Sequence, residues 1–510
     1  MAPRRAPVGP HLLGAALVAA ALVSPAAGCF KVDVASCTVA CASDGDCPGG
    51  LTCSAEGRCS TGGSCAGGAD AGAADAVTTC TPDEFLSCSD PSTAVRCNST
   101  GDGAVTVACG APGCSDLAAG CNLCEASSTR CVGDQLEQCA ADGSGLGSVE
   151  TCDLGCVDTA TPARCATIAP VWLPGVCDVE APAGVVTIAA GTYDTGLAAT
   201  CSGGMVAQSG AAPICVVRGR NLNVPGSVVY TGPNPVALVA DVNLVMDGNI
   251  DVSANGVDDG PGGGPSLIAA AFGTPASRAS RGGSGSGFKT NGGLGGAGTG
   301  TAGTAGTFVN PLVLNAFLGG PGGSSPTVVN GGGFGGGGGG GLILVACRGV
   351  VTVNGSIDAG GGGGRPGYDE TEGAQVSVLS AGGGGAGGYV VVQGARVVLG
   401  ATAALWANGG GGGGGTHGND GVGLAGEDGR RAAQAAPGGI GQLGGGTGGN
   451  GGSMMPPTAG GSDGQGSAGG GGGSAGRIQV YAPAPVATRV MSAVQAFSPT
   501  LEGFQPVPTR

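Results

Sequence analysis

The sequence lacks most of what catalysis and nucleic-acid binding require. Its 510 residues include two histidines and two lysines, aromatic side chains make up 3%, and the formal net charge is −15. An acidic chain without a basic stripe does not attract phosphate groups, so nucleic acid is excluded as an expected partner. Neither an H-E-x-x-H motif nor a P-loop is present. We therefore predict no catalytic residue, no cofactor and no bound metal.

Long apolar runs are also missing, apart from a short one near the N-terminus. Residues 12–23 form an apolar segment of twelve residues after Arg4 and Arg5. This pattern is typical of a signal peptide, and the segment is too short to cross a bilayer core of roughly 30 Å as a helix. Ala-Ala-Gly directly precedes Cys29. The motif resembles the lipobox of bacterial lipoproteins, which implies that the Cys29 thiol is lipidated. The alternative is ordinary cleavage near Ala27, with Cys29 in a disulfide.

These features predict an exported protein. We assign residues 1–28 to the signal peptide and 29–36 to the lipid anchor and tether. The lipobox resemblance implies a lipid-mediated membrane attachment in the outer membrane or at the cell surface. A periplasmic or fully secreted protein is the alternative. The chain has 23 cysteines, which agrees with an oxidising compartment.

The first cysteine module spans residues 37–65 and is followed by a linker at 66–79. Its spacing is C-x3-C-x5-C-x5-C-x5-C-x5-C, and almost no apolar residue lies between the cysteines. A segment this small and polar cannot bury enough surface to fold without covalent links. Its disulfide candidates are Cys37, Cys41, Cys47, Cys53, Cys59 and Cys65.

Two related cysteine repeats follow, repeat A at 80–121 and repeat B at 124–165. Each has 42 residues, and every gap between consecutive cysteines agrees within two residues, which indicates an internal duplication. We predict small hairpins held by three disulfides in each repeat, although spacing cannot choose their connectivity. The candidates are Cys80, Cys88, Cys97, Cys109, Cys114 and Cys121 in repeat A, and Cys124, Cys131, Cys139, Cys152, Cys156 and Cys165 in repeat B.

The cysteine modules resemble the cysteine-rich repeats at the front of surface lipoproteins from predatory and soil bacteria. That resemblance implies a stalk or an interaction module. Zinc binding is the alternative, because Cys121 and Cys124 have a zinc-like spacing. These two residues lie at the seam between the repeats, however, and no second C-x2-C occurs. We therefore expect disulfides.

The region 170–500 changes to short runs of valine, isoleucine and leucine. Its segment VVTIAAGTYDT resembles the entry coil of pectin-lyase-like parallel β-helices, which implies a right-handed parallel β-helix. A separate repeated segment begins at Val236, Leu342 and Tyr389, with a degraded copy at Ile478. This direct repetition favours stacked coils over an antiparallel sandwich, which is the alternative fold. Four further disulfide candidates occur here: Cys177, Cys201, Cys215 and Cys347.

In the first repeated segment, Leu238, Leu244 and Ile250 lie six residues apart. That spacing suits three short strands per coil, each directing alternate side chains into a narrow core. Asp247-Gly248 and Asn354-Gly355 fall at matching corners, where we expect positive φ angles. The predicted fold is mostly β: small disulfide-rich modules, then a right-handed parallel β-helix (solenoid) with long glycine-rich insertions, and a tail at 501–510.

Glycine-rich insertions interrupt the predicted coils at about 257–336, 360–386 and 409–474. Residues 256–476 hold 81 of the 115 glycines. One interpretation is disorder, because glycine loses the most backbone entropy on folding and has no side chain to bury. The other is a set of packed, polyglycine-type extended helices with about three residues per turn. We favour disorder or loose order for most of the insertions.

The remaining candidates for chemistry have simpler explanations. His417 lies among glycines with no second ligand patterned around it, and we expect a solvated loop side chain. Asp258-Asp259, Glu427-Asp428 and Asp463 offer the oxygen ligands that calcium prefers, but they do not recur at the spacing of calcium-binding nonapeptides. Asp251 and Asp358 occupy equivalent repeat positions, which favours a repeated corner over an acid and base pair.

These observations lead to one function hypothesis and two alternatives. We predict a lipid-anchored surface protein with a structural or adhesive role and no catalysis, whose partner is surface polysaccharide or another envelope protein. One alternative is a divergent polysaccharide-active β-helix, although Trp172 and Trp406 are the only tryptophans available for stacking on sugars. The other is a disulfide-rich binding or inhibitor module carried on the β-helix.

Overall fold

The computed structural model of the chain contains β-strands as its regular elements, and within the described residues no α-helix occurs. Consequently, none of these residues lies in a helix long and apolar enough to span a membrane. Cys29 and the predicted signal peptide lie outside the described residues. The structure describes residues 41, 43, 47, 51–53, 59–60, 80–111, 113–115, 119–181, 183–264, 271, 281–298, 304–309, 316–324, 335–372, 375–417, 421–454, 458–483, 489–491, 496–502 and 504–510.

The chain divides into two compact units. The described residues up to 89, together with 94–108, form the first unit, and 90–93 with 109–510 form the second. The first unit contains an antiparallel pair, β1 and β2, and a three-stranded sheet in the order β3-β4-β5. These strands are β1 (Thr52–Cys53), β2 (Cys59–Ser60), β3 (Phe85–Asp90), β4 (Thr93–Cys97) and β5 (Ala104–Ala108).

The second unit begins with short antiparallel strands of the cysteine repeats. Repeat B forms a three-stranded sheet in the order β10-β9-β8, flanked by two two-stranded pairs. The predicted hairpins are therefore present. The strands are β6 (Cys114–Ser115), β7 (Gly120–Cys121), β8 (Thr129–Val132), β9 (Gln135–Cys139), β10 (Leu146–Thr151), β11 (Cys156–Val157) and β12 (Arg164–Cys165).

The disulfides of repeat B link its cysteines in the order first to third, second to fifth and fourth to sixth: Cys124–Cys139, Cys131–Cys156 and Cys152–Cys165. Repeat A has the corresponding bonds Cys80–Cys97 and Cys109–Cys121, and Cys88 and Cys114 are each disulfide-bonded. Cys41–Cys53 and Cys47–Cys59 link the first module, whose Cys37 and Cys65 lie outside the described residues. Disulfide bonding is thus confirmed. Two further bonds, Cys177–Cys347 and Cys201–Cys215, lie in the C-terminal region.

The rest of the second unit consists of two parallel sheets, and successive strands alternate between them along the chain. The antiparallel exceptions are the pair β15–β16 and a hairpin of β22 and β23 within the second insertion. The larger sheet contains β13 (Val185–Thr187), β15 (Met205–Gln208), β16 (Ala211–Val224), β18 (Val236–Met246), β20 (Gly341–Val353), β24 (Tyr389–Leu399), β26 (Arg477–Tyr481), β27 (Arg489–Met491) and β29 (Phe504–Gln505).

The smaller sheet has one short strand for each long strand of the larger sheet through most of the region. This arrangement is compatible with stacked coils and does not match an antiparallel sandwich. Its strands are β14 (Gly191–Asp194), β17 (Val228–Thr231), β19 (Ile250–Asp251), β21 (Ser356–Asp358), β25 (Ala404–Trp406) and β28 (Ala496–Ser498), and the insertion hairpin is β22 (Tyr368–Glu372) with β23 (Gln375–Leu379).

The repeated segments stack in register. Val236 pairs with Leu342, Leu342 with Val390, and Val390 with Ile478. The repeat read from the sequence is therefore correct to within one residue at Tyr389. Side chains from both sheets, including the predicted Leu238, Leu244 and Ile250, fill one hydrophobic core.

The prediction of three short strands per coil is wrong for most of the repeats. Leu238 and Leu244 lie on one long strand, β18, which has a register irregularity between Ala240 and Leu244. The first two predicted strands have merged into one. Where the register shifts, the amides of Asn243 and Val350 donate to the side-chain oxygens of Asn221 and Asn243 at 3.2 and 3.1 Å. The two strands are separate in the last repeat, as β26 and β27.

Glycine is required at the predicted corners for a reason other than the expected positive φ angles. Gly248 and Gly355 do lie at matching corners, where the Asn354 side-chain amide donates to Asp247 Oδ1 at 2.8 Å. Neither glycine has a left-handed φ. A Cβ on Gly248 would lie 2.0 Å from the Gly226 carbonyl oxygen, and one on Gly355 would lie 1.7 Å from that of Gly248. Close stacking of successive corners, rather than backbone conformation, requires glycine here.

Candidate functional site

The glycine-rich insertions pack into one hydrogen-bonded body, which we call the glycine array. In its central tract, 407–417, the backbone amides of 409–415 follow a strict three-residue cycle, as about three residues per turn predicts for extended polyglycine helices. Successive amides point to three different neighbouring tracts. Gly409, Gly412 and Gly415 donate to Gly452, Gly449 and Gly446; Gly410 and Gly413 donate to Gly385 and Gly382; Gly411 and Gly414 donate to Glu427 and Leu424.

The carbonyl groups of the same tract bind three further tracts. Amides of 361–367, 439–442 and 470–476 donate to them, again at three-residue intervals. The central tract thus has six neighbours, and its hydrogen bonds run between tracts rather than within one. For the described residues of the insertions, the favoured prediction of disorder is wrong and the polyglycine alternative is correct.

Glycine is required in this array because backbones approach too closely for any side chain. A Cβ on Gly412 would lie 2.1 Å from the Gly470 carbonyl oxygen, and one on Gly384 would lie 2.1 Å from that of Gly410. The sequence contains a signal for this packing that its composition conceals. Buried tracts consist of glycine with occasional serine or alanine, such as Ser284 and Ala386, whereas outer tracts have an exposed residue at every third position, as in Asn291-Gly-Gly-Leu294 and Thr447-Gly-Gly-Asn450.

The outer face of the array exposes aliphatic side chains on two adjacent tracts. The Leu424 amide donates to the Ile440 carbonyl at 3.1 Å, which joins tract 421–429 to tract 437–443. Val422, Leu424, Ile440 and Leu443 are each between 49% and 63% exposed. We call these four residues the aliphatic patch. Clustered exposed apolar residues of this kind mark an interaction surface more often than scattered ones do.

Four of the five carboxylates considered for calcium have partners within the array. Asp428 Oδ1 accepts from the amides of Gly256 and Gly363 at 3.1 and 2.7 Å, and Asp259 Oδ1 accepts from that of Gly338 at 2.7 Å. Asp463 similarly accepts from the Ala297 amide. Glu427 forms an ion pair with Arg430. The aspartates Asp259, Asp428 and Asp463 therefore accept hydrogen bonds from backbone amides of the array.

Two other candidates can be placed directly. His417 is exposed, as predicted, and its backbone amide donates to Gln442. In the part of the chain that the structure describes, the one group of three close metal-ligating atoms comprises the sulfurs of Cys41, Cys47 and Cys59, within 4.8 Å of one another. All three are disulfide-bonded, and a disulfide sulfur is not the thiolate that a metal binds.

Asp251 and Asp358 form a charged cluster with Arg431 from the third insertion. The two aspartates are paired neighbours on β19 and β21, which confirms their equivalent repeat positions. Arg431 Nε lies 2.6 Å from Asp358 Oδ2, and its Nη2 lies 2.6 Å from Asp251 Oδ2. Burial raises the pKa of the Asp358 carboxyl, and the Arg431 guanidinium partly offsets this effect. The cluster attaches the glycine array to the smaller sheet.

Replacing Arg431 by alanine is expected to lower the free energy of unfolding by about 1–2 kcal/mol, because the buried Asp358 carboxylate loses its counter-charge while the half-exposed arginine was partly screened. Without Arg431, the Asp358 carboxyl has a still higher pKa in the folded state. The variant therefore keeps its stability at acid pH, where this carboxyl is protonated, and loses stability as the pH rises. The deficit should be largest near pH 7 and shrink toward about pH 4 in urea unfolding curves. Arg430→Ala, which removes only an exposed ion pair with Glu427, is the matched control. A deficit independent of pH would contradict this account.

A second candidate site is a groove over repeat B. Three adjoining cavities of about 670, 490 and 580 Å³ share Ser127 and together form what we call the repeat groove. The cavity of 580 Å³ separates the sheet of repeat B from the larger parallel sheet. The residues lining this cavity are Ser127, Thr129, Leu136, Gln138, Val149, Glu150, Ala160, Thr161, Pro162, Ala163, Arg164, Asp178, Glu180, Arg220 and Arg348.

Charged side chains close one wall of the repeat groove. The guanidinium of the buried Arg348 lies 3.0 Å from Glu150 Oε1 and 3.1 Å from Glu180 Oε1. Arg220 lies 3.8 Å from the other oxygen of Glu150. Among the described residues Arg164 has no ion-pair partner in the groove. Sequence reasoning missed this cluster, because its arginines and glutamates are far apart in the chain and no motif joins them.

No match is found when the chain is compared with models of known protein families, with curated proteins or with solved structures. Function is therefore inferred from the geometry of the chain's own residues. Cys29 lies outside the described residues, so its lipidation stays a prediction. The many disulfides indicate an exported, extracytoplasmic protein.

Proposed function

We propose that this chain is a lipid-anchored cell-surface protein that presents a rigid adhesive face, without a catalytic step. The observation that carries the proposal is the glycine array, whose interlocked tracts hold the aliphatic patch on an ordered outer face. In this proposal the parallel sheets are a right-handed β-helix that supports the array. Lipidation at Cys29 attaches the protein to the outer membrane, and the bound partner is an envelope protein or a surface polysaccharide.

The rigidity of the array supports an adhesive role. Side chains fixed on a packed backbone lose little conformational entropy on binding, so each contact contributes more of its energy to affinity. The exposed side chains of the aliphatic patch project from a scaffold that Arg431 also ties to the smaller sheet. Their apolar character favours a protein partner over a polysaccharide.

The experiment compares cells displaying the full chain with cells displaying Ile440→Asp/Leu443→Asp. Charges in the aliphatic patch are expected to reduce binding to partner cells or envelope extracts by about ten-fold or more, because two buried apolar contacts would be replaced by desolvated carboxylates. Leu197→Asp is the matched control, since Leu197 is 57% exposed and Ile440 is 58% exposed, and Leu197 lies outside the array. Equal binding by the patch variant and the control would overturn the adhesive assignment.

The anchor is tested separately by mass spectrometry of membrane-extracted protein. We expect an N-terminus at Cys29 that carries lipid, and loss of membrane association in Cys29→Ala, because the thiol forms the bond to the lipid. An unlipidated product of the unaltered chain would contradict the anchor and leave the adhesive face untouched. The two parts of the proposal can therefore fail independently.

A second candidate function is favoured by the repeat groove. Each of its three cavities has a volume in the range of small-ligand sites, and the groove lies on a disulfide-rich module, as the binding-module alternative requires. Arg220→Glu reverses one charge in the groove wall. If this groove, rather than the array, holds the partner, the variant should abolish binding to partner cells or envelope extracts. The polysaccharide-active alternative has weaker support, because Asp251 and Asp358 are both ion-paired with Arg431.

A further inference from the structure

The duplicated cysteine repeats differ in whether their edge strand is protected against pairing with another strand. In repeat B the edge strand β10 has a bulge between Ser148 and Glu150, and Glu150 forms ion pairs with Arg220 and Arg348. Bulges and charges at an edge prevent another strand from adding to it. Repeat B therefore has a blocked edge.

The corresponding edge strand of repeat A has no such protection. All five residues of β5, Ala104-Val105-Thr106-Val107-Ala108, are exposed, and none is charged, glycine or proline. Within the described part of the chain β5 pairs with β4 and lies at the end of its sheet. An exposed, uncharged edge of β-branched residues is a template for pairing with another strand.

The order of residues in β5 identifies the partner strand. The segment reads the same in both directions. Antiparallel pairing with a second copy about a two-fold axis at Thr106 would place Thr106 opposite Thr106, Val105 opposite Val107 and Ala104 opposite Ala108. Such a pairing is isologous, the commonest symmetry of homodimers, and its facing valines and threonines are favourable cross-strand pairs. We propose that β5 joins two copies of this chain edge to edge.

Charge and area agree with a second copy as the occupant. The chain has a formal net charge of −15, so an uncharged strip is where two copies can approach with the least repulsion. A five-residue strand pair buries well below the roughly 1,200 Å² of a stable interface. Association in free solution is therefore weak, and confinement of both copies on one surface would strengthen it through effective concentration.

The test traps the pair with single cysteines in the full chain displayed on cells. Facing residues of antiparallel strands have Cα atoms about 4.5–5.5 Å apart, within the range of a disulfide. On mild oxidation, Thr106→Cys is expected to form a dimer linked through the introduced thiols of the two copies. Its yield should be about ten-fold above that of Val149→Cys, the control on β10. Val105→Cys and Val107→Cys should cross-link when the two variants are mixed and not when either is alone.

Each other outcome counts against the proposal. Equal cross-linking of Thr106→Cys and Val149→Cys would indicate random collision, and self-linkage of Val105→Cys would indicate parallel pairing. Mapping of the non-reduced peptides shows whether the thiol introduced by Thr106→Cys instead joins a native cysteine or stays free, and either result overturns the pairing. Adding Val105→Lys and Val107→Lys to Thr106→Cys places lysines opposite each other and should remove the dimer. These results do not depend on the aliphatic patch. The proposed pairing through β5 and the proposed adhesive role can therefore fail independently of each other.

Discussion

Gly412→Ala is expected to destabilise the second unit by about 3 kcal/mol or more. Overpacking a core usually costs about 1–3 kcal/mol, and the methyl group added here should reach or exceed the upper end of that range. Its Cβ would lie 2.1 Å from the Gly470 oxygen, and the next two nearest atoms also belong to the backbone. Backbone atoms hydrogen-bonded on both sides cannot rotate aside as a side chain would. The change therefore separates tracts 407–417 and 470–476 rather than filling a gap. Urea or thermal unfolding of the purified chain measures the loss.

Gly460→Ala is the matched control for this prediction. Gly460 lies in the same array but is exposed, and the nearest atom to its added Cβ is 3.3 Å away. We expect a change within about 0.5 kcal/mol, as for ordinary surface substitutions. An equal loss of stability in the two variants would mean that the tracts are not packed as described. It would then favour the disorder that composition predicts.

Removing the Cys177–Cys347 disulfide is expected to have the largest effect of any single cross-link. The bond closes a loop with a sequence separation of 170 residues, and constraining so long a loop in the unfolded chain stabilises the fold by about 5 kcal/mol. The loop includes the long strands β16 and β18, the first half of β20 and the whole first insertion. The double variant Cys177→Ala/Cys347→Ala should accordingly unfold at much lower denaturant concentration.

The Cys201–Cys215 bond provides the comparison, because its sequence separation is only 14 residues. Its removal should cost about 3 kcal/mol by the same loop-closure reasoning. The order of the two losses is the decisive measurement. A larger loss for the short loop would show that native packing around each bond, rather than loop closure, governs stability here.

Much of the parallel-sheet architecture could be predicted from direct repetition in the sequence. The segments beginning at Val236 and Leu342 pair in the register that their alignment implies, and Asp251 lies beside Asp358 as expected. Such predictions succeed because a repeat that stacks on itself places equal residues on equal neighbours. The merging of the first two strands in most of the repeats was not predictable, because a bend and a break leave the same pattern of alternate apolar residues.

The candidate sites were less accessible to sequence reasoning. The aliphatic patch combines residues of two tracts, and nothing in the chain indicates that Leu424 and Ile440 lie side by side. The wall of the repeat groove joins Glu150 to Arg348 across about two hundred residues. Long-range pairs of this kind arise from packing, which a single sequence does not specify without a motif.

The sequence by itself determined the cysteine modules, their duplication, the repeated β-segments and the positions of the insertions, because each depends on spacing along the chain. Only the tertiary structure decided what the glycines do. A glycine tract alone gains too little to offset its backbone entropy, and composition therefore favours disorder. Six neighbouring tracts supply every amide and carbonyl of 410–415 with a partner, and that mutual satisfaction of backbone groups exists only once the insertions lie side by side.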